Sequence, residues 1–253
     1  RDAVLELSAT RVRPMARSSS RLMELIKDVD RTDVVRVGRS NMRFRGMRSG
    51  ISMDSFPADV LLFDEVRLMS IASIDRTMVR VSESSIRGPD GTRGLIELNS
   101  TAGFPGMDIH RWYERSSAGV WHTRCPDVAC SLHKGGIPLP YEFAENHTRV
   151  IGQRRDGRYY LKCPRCGARI RDAQDGHYVH ARPNAPWRGY QFSQLLKGEE
   201  YLNAMIMPTY LAGDNVAEFH NSRLGIPYED RDAEPESRED VLGNIDPARL
   251  HQW

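Results

Sequence analysis

The chain has 253 residues, of which 40% are hydrophobic and 28% charged, a composition typical of a globular protein with one or two domains. No apolar run approaches the ~20 residues that a membrane-spanning helix needs, and the charged first residues do not form a signal peptide. The sequence therefore argues against a membrane or secreted protein. A net charge of only +2 does not by itself indicate a nucleic-acid partner.

The first third of the chain begins with helical and then hairpin-like patterns. Residues 1–30 have helical spacing, with a break at Pro14 and a serine cap before Leu22. The runs VVRVGR and MRFRGM alternate as strands do, so we expect a hairpin that turns at Ser40 and Asn41.

Two apolar runs then frame a predicted helix. ADVLLFDEV (58–66) and GLIELNST (94–101) are typical of buried parallel strands, and IASIDRTMVRVSES between them has helical spacing. Another helix is predicted over 107–116. Strand, helix and strand joined by short connections indicate an α/β fold.

The composition and the predicted secondary structure change after residue 117, where cysteines, prolines and short strands appear. EEYLNAMIM and NVAEFHNSRL are again predicted to be helical, and residues 229–240 are acidic and read as a linker or tail. We expect core packing rather than base stacking for six aromatic residues: Trp112, Tyr113, Trp121, Trp187, Tyr190 and Phe192.

The first apolar run ends in two adjacent carboxylates, Asp64 and Glu65. In open parallel sheets, ligands bind beyond the carboxyl ends of the strands. In nucleotide hydrolases an acid at this place holds Mg²⁺ and a second orients the attacking water, which is the Walker B pattern. Ser100 and Thr101 follow the neighbouring strand, where a hydroxyl could sense a γ-phosphate or could simply serve a turn.

A P-loop, which cradles the nucleotide phosphates, needs the pattern G-x-x-x-x-G-K-[ST]. None of the four lysines stands in that setting. Either the carboxylate pair is not catalytic, or the P-loop is encoded upstream. Since the chain does not begin with Met, we expect a piece of a longer protein, and by itself the chain lacks the main phosphate-binding element.

All four cysteines fall in two short loops, CPDVAC (Cys125 and Cys130) and CPRCG (Cys163 and Cys166). Four thiolates bind Zn²⁺ tetrahedrally, with two ligands from each loop. Since no cysteine is left over and no secretion signal is visible, the pattern favours a structural Zn²⁺ over disulfides. Reduced, unpaired cysteines are the alternative. Nearby histidines, including His133, are expected on the surface or in packing.

Several stretches occur in the order in which they occur in a known family. RVRPMARSSSRL, MRFRGMRSGISMDSFPADVLLFDEV, LNSTAGFPGMDIHRWYERS, VWHTRCPDVAC, YYLKCPRCGARI, WRGYQFSQLL and FHNSRLGIPY resemble the large terminase subunit of tailed bacteriophages, of the lambda-like class. The likeness runs from about residue 8 to residue 228. Members of that family use ATP to package double-stranded viral DNA.

The resemblance implies a P-loop-NTPase-like parallel sheet, with the P-loop strand missing, and an inserted four-cysteine, zinc-ribbon-like β element. It implies a partial ATPase core over 1–117, the insertion over 118–182, a closing part of the ATPase region over 183–228, and an acidic linker toward a nuclease domain over 229–253. Asp64 would serve Mg²⁺, Glu65 would activate water, and Ser100 and Thr101 would couple phosphate loss to movement.

By the same resemblance, the partners are double-stranded DNA, a small terminase subunit, the portal protein and other copies of the chain, in the host cytoplasm. The basic stretch RVGRSNMRFRGMR (36–48) fits phosphate contacts, or is simply a solvated hairpin. Its candidate DNA-binding residues are Arg39, Arg43, Arg45 and Arg48. A non-catalytic zinc-ribbon module that binds nucleic acid or protein is the alternative function, and a nuclease ranks last.

Overall fold

The computed structural model describes residues 8–27, 33–46, 56–88 and 91–229. The chain divides into two compact units, Arg1–Ser100 and Thr101–Trp253. This division differs from the predicted domain boundaries, because residues 101–117 fall with the second unit. The predicted acidic linker lies outside the described residues except for Glu229.

The first unit is mixed α/β. Its elements are α1 (Arg13–Arg17), α2 (Ser20–Leu25), β1 (Ile26–Lys27), β2 (Val34–Val37), β3 (Ser40–Arg43), β4 (Val60–Asp64), α3 (Ile71–Met78) and β5 (Leu95–Asn99), with a π-helical segment at Ser8–Val12 and 3-10 turns at Val66–Leu68 and Val79–Val81. The predicted serine cap is present, since Ser19 Oγ accepts a hydrogen bond from the Leu22 N–H. Pro14 does not break the helix. It lies in the first turn of α1, which continues directly from the π-helical segment Ser8–Val12, so the helical run passes through the proline.

Strands β1, β2 and β3 form an antiparallel sheet, and β2 and β3 are the predicted hairpin. The predicted turn residues are wrong by two positions: Val37 pairs with Ser40, so the turn consists of Gly38 and Arg39. A two-residue hairpin turn requires positive φ, and Gly38 supplies it at +58° without steric cost.

Strands β4 and β5 are parallel neighbours, as predicted, and α3 lies between them in the chain. They are not buried on both faces. Leu61 and Phe63 are buried, whereas Val60 and Leu62 are exposed, so one face of β4 is open to solvent in the described part of the chain. Strands buried on both faces need cover on each side, and the described residues cover one.

The second unit holds a mixed sheet and an antiparallel sheet. Its elements are α4 (Asp108–Arg115), β6 (Gly119–Thr123), α5 (Leu132–Gly135), α6 (Leu139–Val150), β7 (Ile151–Gln153), β8 (Tyr159–Lys162), β9 (Arg169–Ile170), β10 (Gly176–His180), β11 (Tyr190–Gln191), α7 (Glu199–Tyr201), α8 (Met207–Ala212) and α9 (Val216–Glu218), with a 3-10 turn at Gln194–Lys197 and π-helical segments at Leu202–Ile206 and Phe219–Leu224. In one sheet β6 is central, antiparallel to β10 and parallel to β11. Strands β7, β8 and β9 form the other.

One hydrophobic core spans the predicted insertion and the predicted closing segment. Fully buried members such as Ile137 and Leu139 come from the former, and Leu202, Ile206 and Leu224 come from the latter. The buried residues of the two segments therefore belong to one core. No helix in the described part of the chain has the length and apolarity to cross a membrane.

Core packing is the wrong prediction for two of the six aromatic residues. Tyr190 is 46% exposed and Phe192 is 70% exposed. The buried residues of the same segment are the polar Gln191 and Ser193, so the segment has its polar side chains inward and its aromatic ones outward.

Gly94 tests the packing of the first unit. Its φ is +72°, and a Cβ there would lie 2.4 Å from the Cβ of Val81, which is buried. We expect Gly94→Ala to lower the free energy of unfolding by roughly 3 kcal/mol, because left-handed strain and overpacking add. Chemical denaturation measures this change.

Gly91→Ala is the matched control, since Gly91 has a φ of +81° and open space around its Cβ position. We expect it to cost about 1 kcal/mol, from backbone strain alone. Equal losses in the two variants would contradict the close approach of Gly94 to Val81.

Candidate functional site

The carboxyl ends of β4 and β5 meet at one edge of the parallel pair. The register joins Phe63 to Leu98 and Asp64 to Asn99, so the predicted Walker B carboxylate lies beside the end of the neighbouring strand. Asp64 and Glu65 are both exposed. The predicted carboxylates are therefore open to solvent at a strand end.

Glu65 has an unusual backbone. Its φ is +58° and its ψ is +47°, the left-handed region, which costs a non-glycine residue about 1–2 kcal/mol. Its N–H donates a hydrogen bond to Asp64 Oδ1 at 3.2 Å. The chain turns sharply here and enters the 3-10 turn Val66–Leu68. Backbone strain of this kind is found most often at functional sites.

Ser100 is brought to the same place. The Arg67 N–H donates a hydrogen bond to Ser100 Oγ at 3.0 Å, which ties the segment after β4 to the segment after β5. Thr101 follows directly in the chain but falls in the second unit. Thr101 Oγ1 is buried and has no hydrogen-bond partner within the described residues. The structure therefore groups Asp64, Glu65 and Ser100 at the carboxyl ends of β4 and β5.

The four cysteines converge in the second unit. Cys125 and Cys130 lie in the loop between β6 and α5, and Cys163 and Cys166 lie in the turn between β8 and β9. That turn is closed by the Gly167 N–H, which donates to the Cys163 carbonyl at 3.0 Å, and Gly167 has a φ of +74°. The CPRCG loop therefore forms a tight turn, with glycine where the backbone needs positive φ.

The sulfur positions fit a metal ion and not disulfides. Cys125 Sγ lies 3.5 Å from Cys166 Sγ, and Cys130 Sγ lies 3.9 Å from Cys163 Sγ. All four lie within 4.8 Å of one another. A disulfide needs a sulfur separation of about 2.05 Å, whereas tetrahedral Zn²⁺ with Zn–S bonds of about 2.3 Å needs separations of about 3.8 Å.

The pKa values of the cysteine thiols are shifted in different directions by their surroundings. Burial raises the pKa of Cys125 and of Cys163. The backbone N–H of Ala168 lowers the pKa of Cys166, the exposed member of the set. His133 Nδ1 lies 2.7 Å from the Cys125 carbonyl oxygen, so this histidine supports the loop rather than joining the four sulfurs.

The basic hairpin presents its arginines to solvent. Arg39 in the turn and Arg43 on β3 are exposed, and the Arg45 guanidinium lies 4.9 Å from the centre of the Phe56 ring. Arg48 lies outside the described residues. The register also places Arg36 on the same face as Arg43, opposite the buried Val35. Arg36 is not among the DNA-binding residues predicted from the sequence, although the two-residue period of β2 indicates that it shares this face.

Comparison with family models, curated proteins and solved structures found no match for this chain.

The function of the chain must therefore be inferred from the strand end at Asp64, from the four-cysteine cluster and from the order of the motifs.

The exposure of Tyr190 and Phe192 was not predicted from the sequence. The alternation of aromatic and polar residues in YQFS was the available signal, because a period of two assigns Tyr190 and Phe192 to one face.

The strain at Glu65 can be measured. We expect Glu65→Gly to raise the free energy of unfolding by about 1 kcal/mol, because glycine adopts positive φ without steric cost. We expect the control Glu83→Gly to lower it, since Glu83 is exposed and lies outside the left-handed region. Urea titration of both variants gives the comparison, and a destabilised Glu65→Gly protein would contradict the backbone conformation described.

Proposed function

We propose that this chain is part of the large subunit of a terminase, the ATP-driven motor that packages double-stranded DNA into the procapsids of tailed bacteriophages. The observation that carries the proposal is the parallel register of β4 and β5, which puts Asp64 beside Asn99 and Ser100 next to the segment after Glu65. The open apolar face at Val60 and Leu62 also supports it, since a P-loop-NTPase-like parallel sheet is covered by helices on both faces.

The residues have distinct roles in this proposal. Asp64 supplies carboxylate oxygen to Mg²⁺, a hard cation that prefers oxygen ligands. When bound, Mg²⁺–ATP supplies the phosphoryl group that water attacks. Glu65 orients and polarises that water, and its left-handed backbone turns it away from the line of β4. Ser100 links the nucleotide edge to the segment after β4 through its hydrogen bond from Arg67.

The exposed arginines of the hairpin suit the DNA of a packaging motor. A motor must hold DNA of any sequence, and arginine contacts with phosphates hold it without reading bases. Arg39, Arg43 and Arg45 are exposed, which supports such contacts. The small terminase subunit, the portal protein and further copies of the chain complete the proposed assembly in the host cytoplasm.

The four-cysteine cluster is proposed to hold one structural Zn²⁺. Four protein ligands complete its tetrahedron and leave no open position for catalysis. Three of the four cysteines are buried in the core of the second unit, so the ion would tie the loop after β6 to the turn between β8 and β9. A non-catalytic zinc-ribbon module is the second candidate function, and this cluster is the observation that favours it.

The two candidates differ in the importance of Glu65. In the complete gene product, Glu65→Gln is expected to lower kcat for DNA-stimulated ATP hydrolysis by about 10²- to 10⁴-fold, because the amide cannot act as a base. Glu83→Gln, an exposed glutamate of the same unit, should leave turnover unchanged. Folding of each variant is checked by circular dichroism. Unchanged turnover in folded Glu65→Gln would remove the motor proposal and favour the binding module.

The zinc proposal has a separate test. Elemental analysis should find about one Zn²⁺ per chain, and the double variant Cys163→Ser with Cys166→Ser should lose it and melt at a lower temperature. Arg165→Gln is the control, because Arg165 lies between the two cysteines and donates to Ser131 Oγ without being a ligand. The site is refuted if metal-free protein melts at the same temperature as protein supplied with zinc.

A further inference from the structure

Three aromatic residues of the second unit lie together at the sheet β10–β6–β11, where Tyr190 and Phe192 are exposed and Tyr178 is half-buried. Tyr178 on β10 has the rings of Trp121, Tyr190 and Phe192 around it, at centroid distances of 5.1, 4.8 and 6.1 Å. We call Tyr178, Tyr190 and Phe192 the aromatic surface. Each of these contacts is edge-to-face. The rings therefore pack at steep angles to one another and do not cover one another's faces.

Buried polar side chains hold this surface outward. The Gln191 Nε2 donates to the Gly225 carbonyl at 2.9 Å, and Gln191 Oε1 accepts from the Tyr141 hydroxyl at 2.8 Å. Ser193 Oγ donates to the Arg223 carbonyl at 3.3 Å. Turning Tyr190 and Phe192 inward would turn these groups outward and leave their buried partners unsatisfied. The fold therefore keeps two large apolar rings in water at a cost.

A glycine makes room for the surface. Gly119 on β6 is the register partner of both His180 and Tyr190. A Cβ at Gly119 would lie 2.6 Å from the His180 ring, and the His180 and Tyr190 rings are 5.4 Å apart in an edge contact. The strand at the centre of the sheet thus lacks a side chain where the two flanking rings come together.

Two cations stand in the loop that joins the strands of this surface. Residues 181–189, ARPNAPWRG, run from His180 to Tyr190 and contain Arg182 and Arg188 but no acid. Both arginines are exposed. Arg182 Nε donates to the Ser116 carbonyl at 2.9 Å, and Arg188 Nη1 donates to the Pro183 carbonyl at 2.8 Å. Because a guanidinium has five N–H donors, each anchored arginine keeps donors for an anionic ligand.

We propose that the aromatic surface, together with Arg182 and Arg188, binds single-stranded nucleic acid. Unpaired bases stack on exposed rings, and the guanidinium groups contact the phosphates between them. A duplex keeps its bases stacked inside and offers no base face to these rings. The acid-free loop favours a polyanion over an apolar protein partner. This site requires neither nucleotide nor Glu65, so its test is independent of the motor proposal.

The binding test uses the full 253-residue chain and a fluorescein-labelled oligodeoxythymidylate of about 15 nucleotides, followed by fluorescence anisotropy. We expect Phe192→Leu to weaken binding by roughly fivefold to a hundredfold, the range for loss of one stacked base. Phe192→Tyr, which keeps the ring, should retain affinity within about twofold on the same scale. A blunt duplex of the same length should compete poorly.

Phe104→Leu is the matched control, since Phe104 is 61% exposed in the same unit and lies outside the aromatic surface. We expect it to bind as the parent chain does. Arg188→Gln should reduce the slope of log affinity against log salt concentration by about 0.7, the value for one phosphate contact on a single strand. Thermal melting and size-exclusion chromatography of every variant check that the fold and the oligomeric state are unchanged.

Any of the following results would overturn the proposal. One is no measurable binding of the oligonucleotide by the folded chain. Another is equal loss of affinity in Phe192→Leu and Phe104→Leu, or equal competition by the duplex, since either would mean that the rings do not receive bases. The third is a parent chain that dimerises and a Phe192→Leu chain that is monomeric, which would make the aromatic surface a contact between copies.

Discussion

The convergence of two cysteine loops organises the second unit. Cys125, Cys130 and Cys163 lie in the same core as Leu139, Leu202 and the other buried apolar residues. Three sulfurs buried without disulfides lose hydration, and an ion bound to all four thiolates would compensate for that loss. The same loops end β6 and join β8 to β9, so both sheets of the unit meet at the cysteines.

This arrangement connects the proposed metal centre with the proposed nucleic-acid site through one strand. β6 carries Gly119 at one end, below the rings of His180 and Tyr190, and leads at its other end into the loop of Cys125. A metal ion that holds that loop would also hold the strand on which the aromatic surface is built. The cysteine loops thus belong to the core of the second unit and adjoin the strand that carries the aromatic surface.

The first unit depends on a different constraint, the parallel register of two strands. With Phe63 opposite Leu98, the next residues of each strand, Asp64 and Asn99, meet at the sheet edge. The hydrogen bond from Arg67 to Ser100 then fixes the two segments beyond the strands. The left-handed Glu65 lies between these contacts, where the strain of one residue is offset by the pairing on either side.

The sequence by itself determined the local features: the serine cap at Ser19, the two parallel strands with the carboxylates that end the first of them, the hairpin, and the two cysteine loops. These follow from residue type and spacing over a few positions, where backbone propensity and alternation decide. Tertiary structure alone decided that Val60 and Leu62 face solvent, that residues 118–228 share one core, and that Gln191 is buried while Phe192 is exposed. Those outcomes depend on which distant segments supply cover or hydrogen-bond partners, and a period of two assigns residues to faces without saying which face is inside.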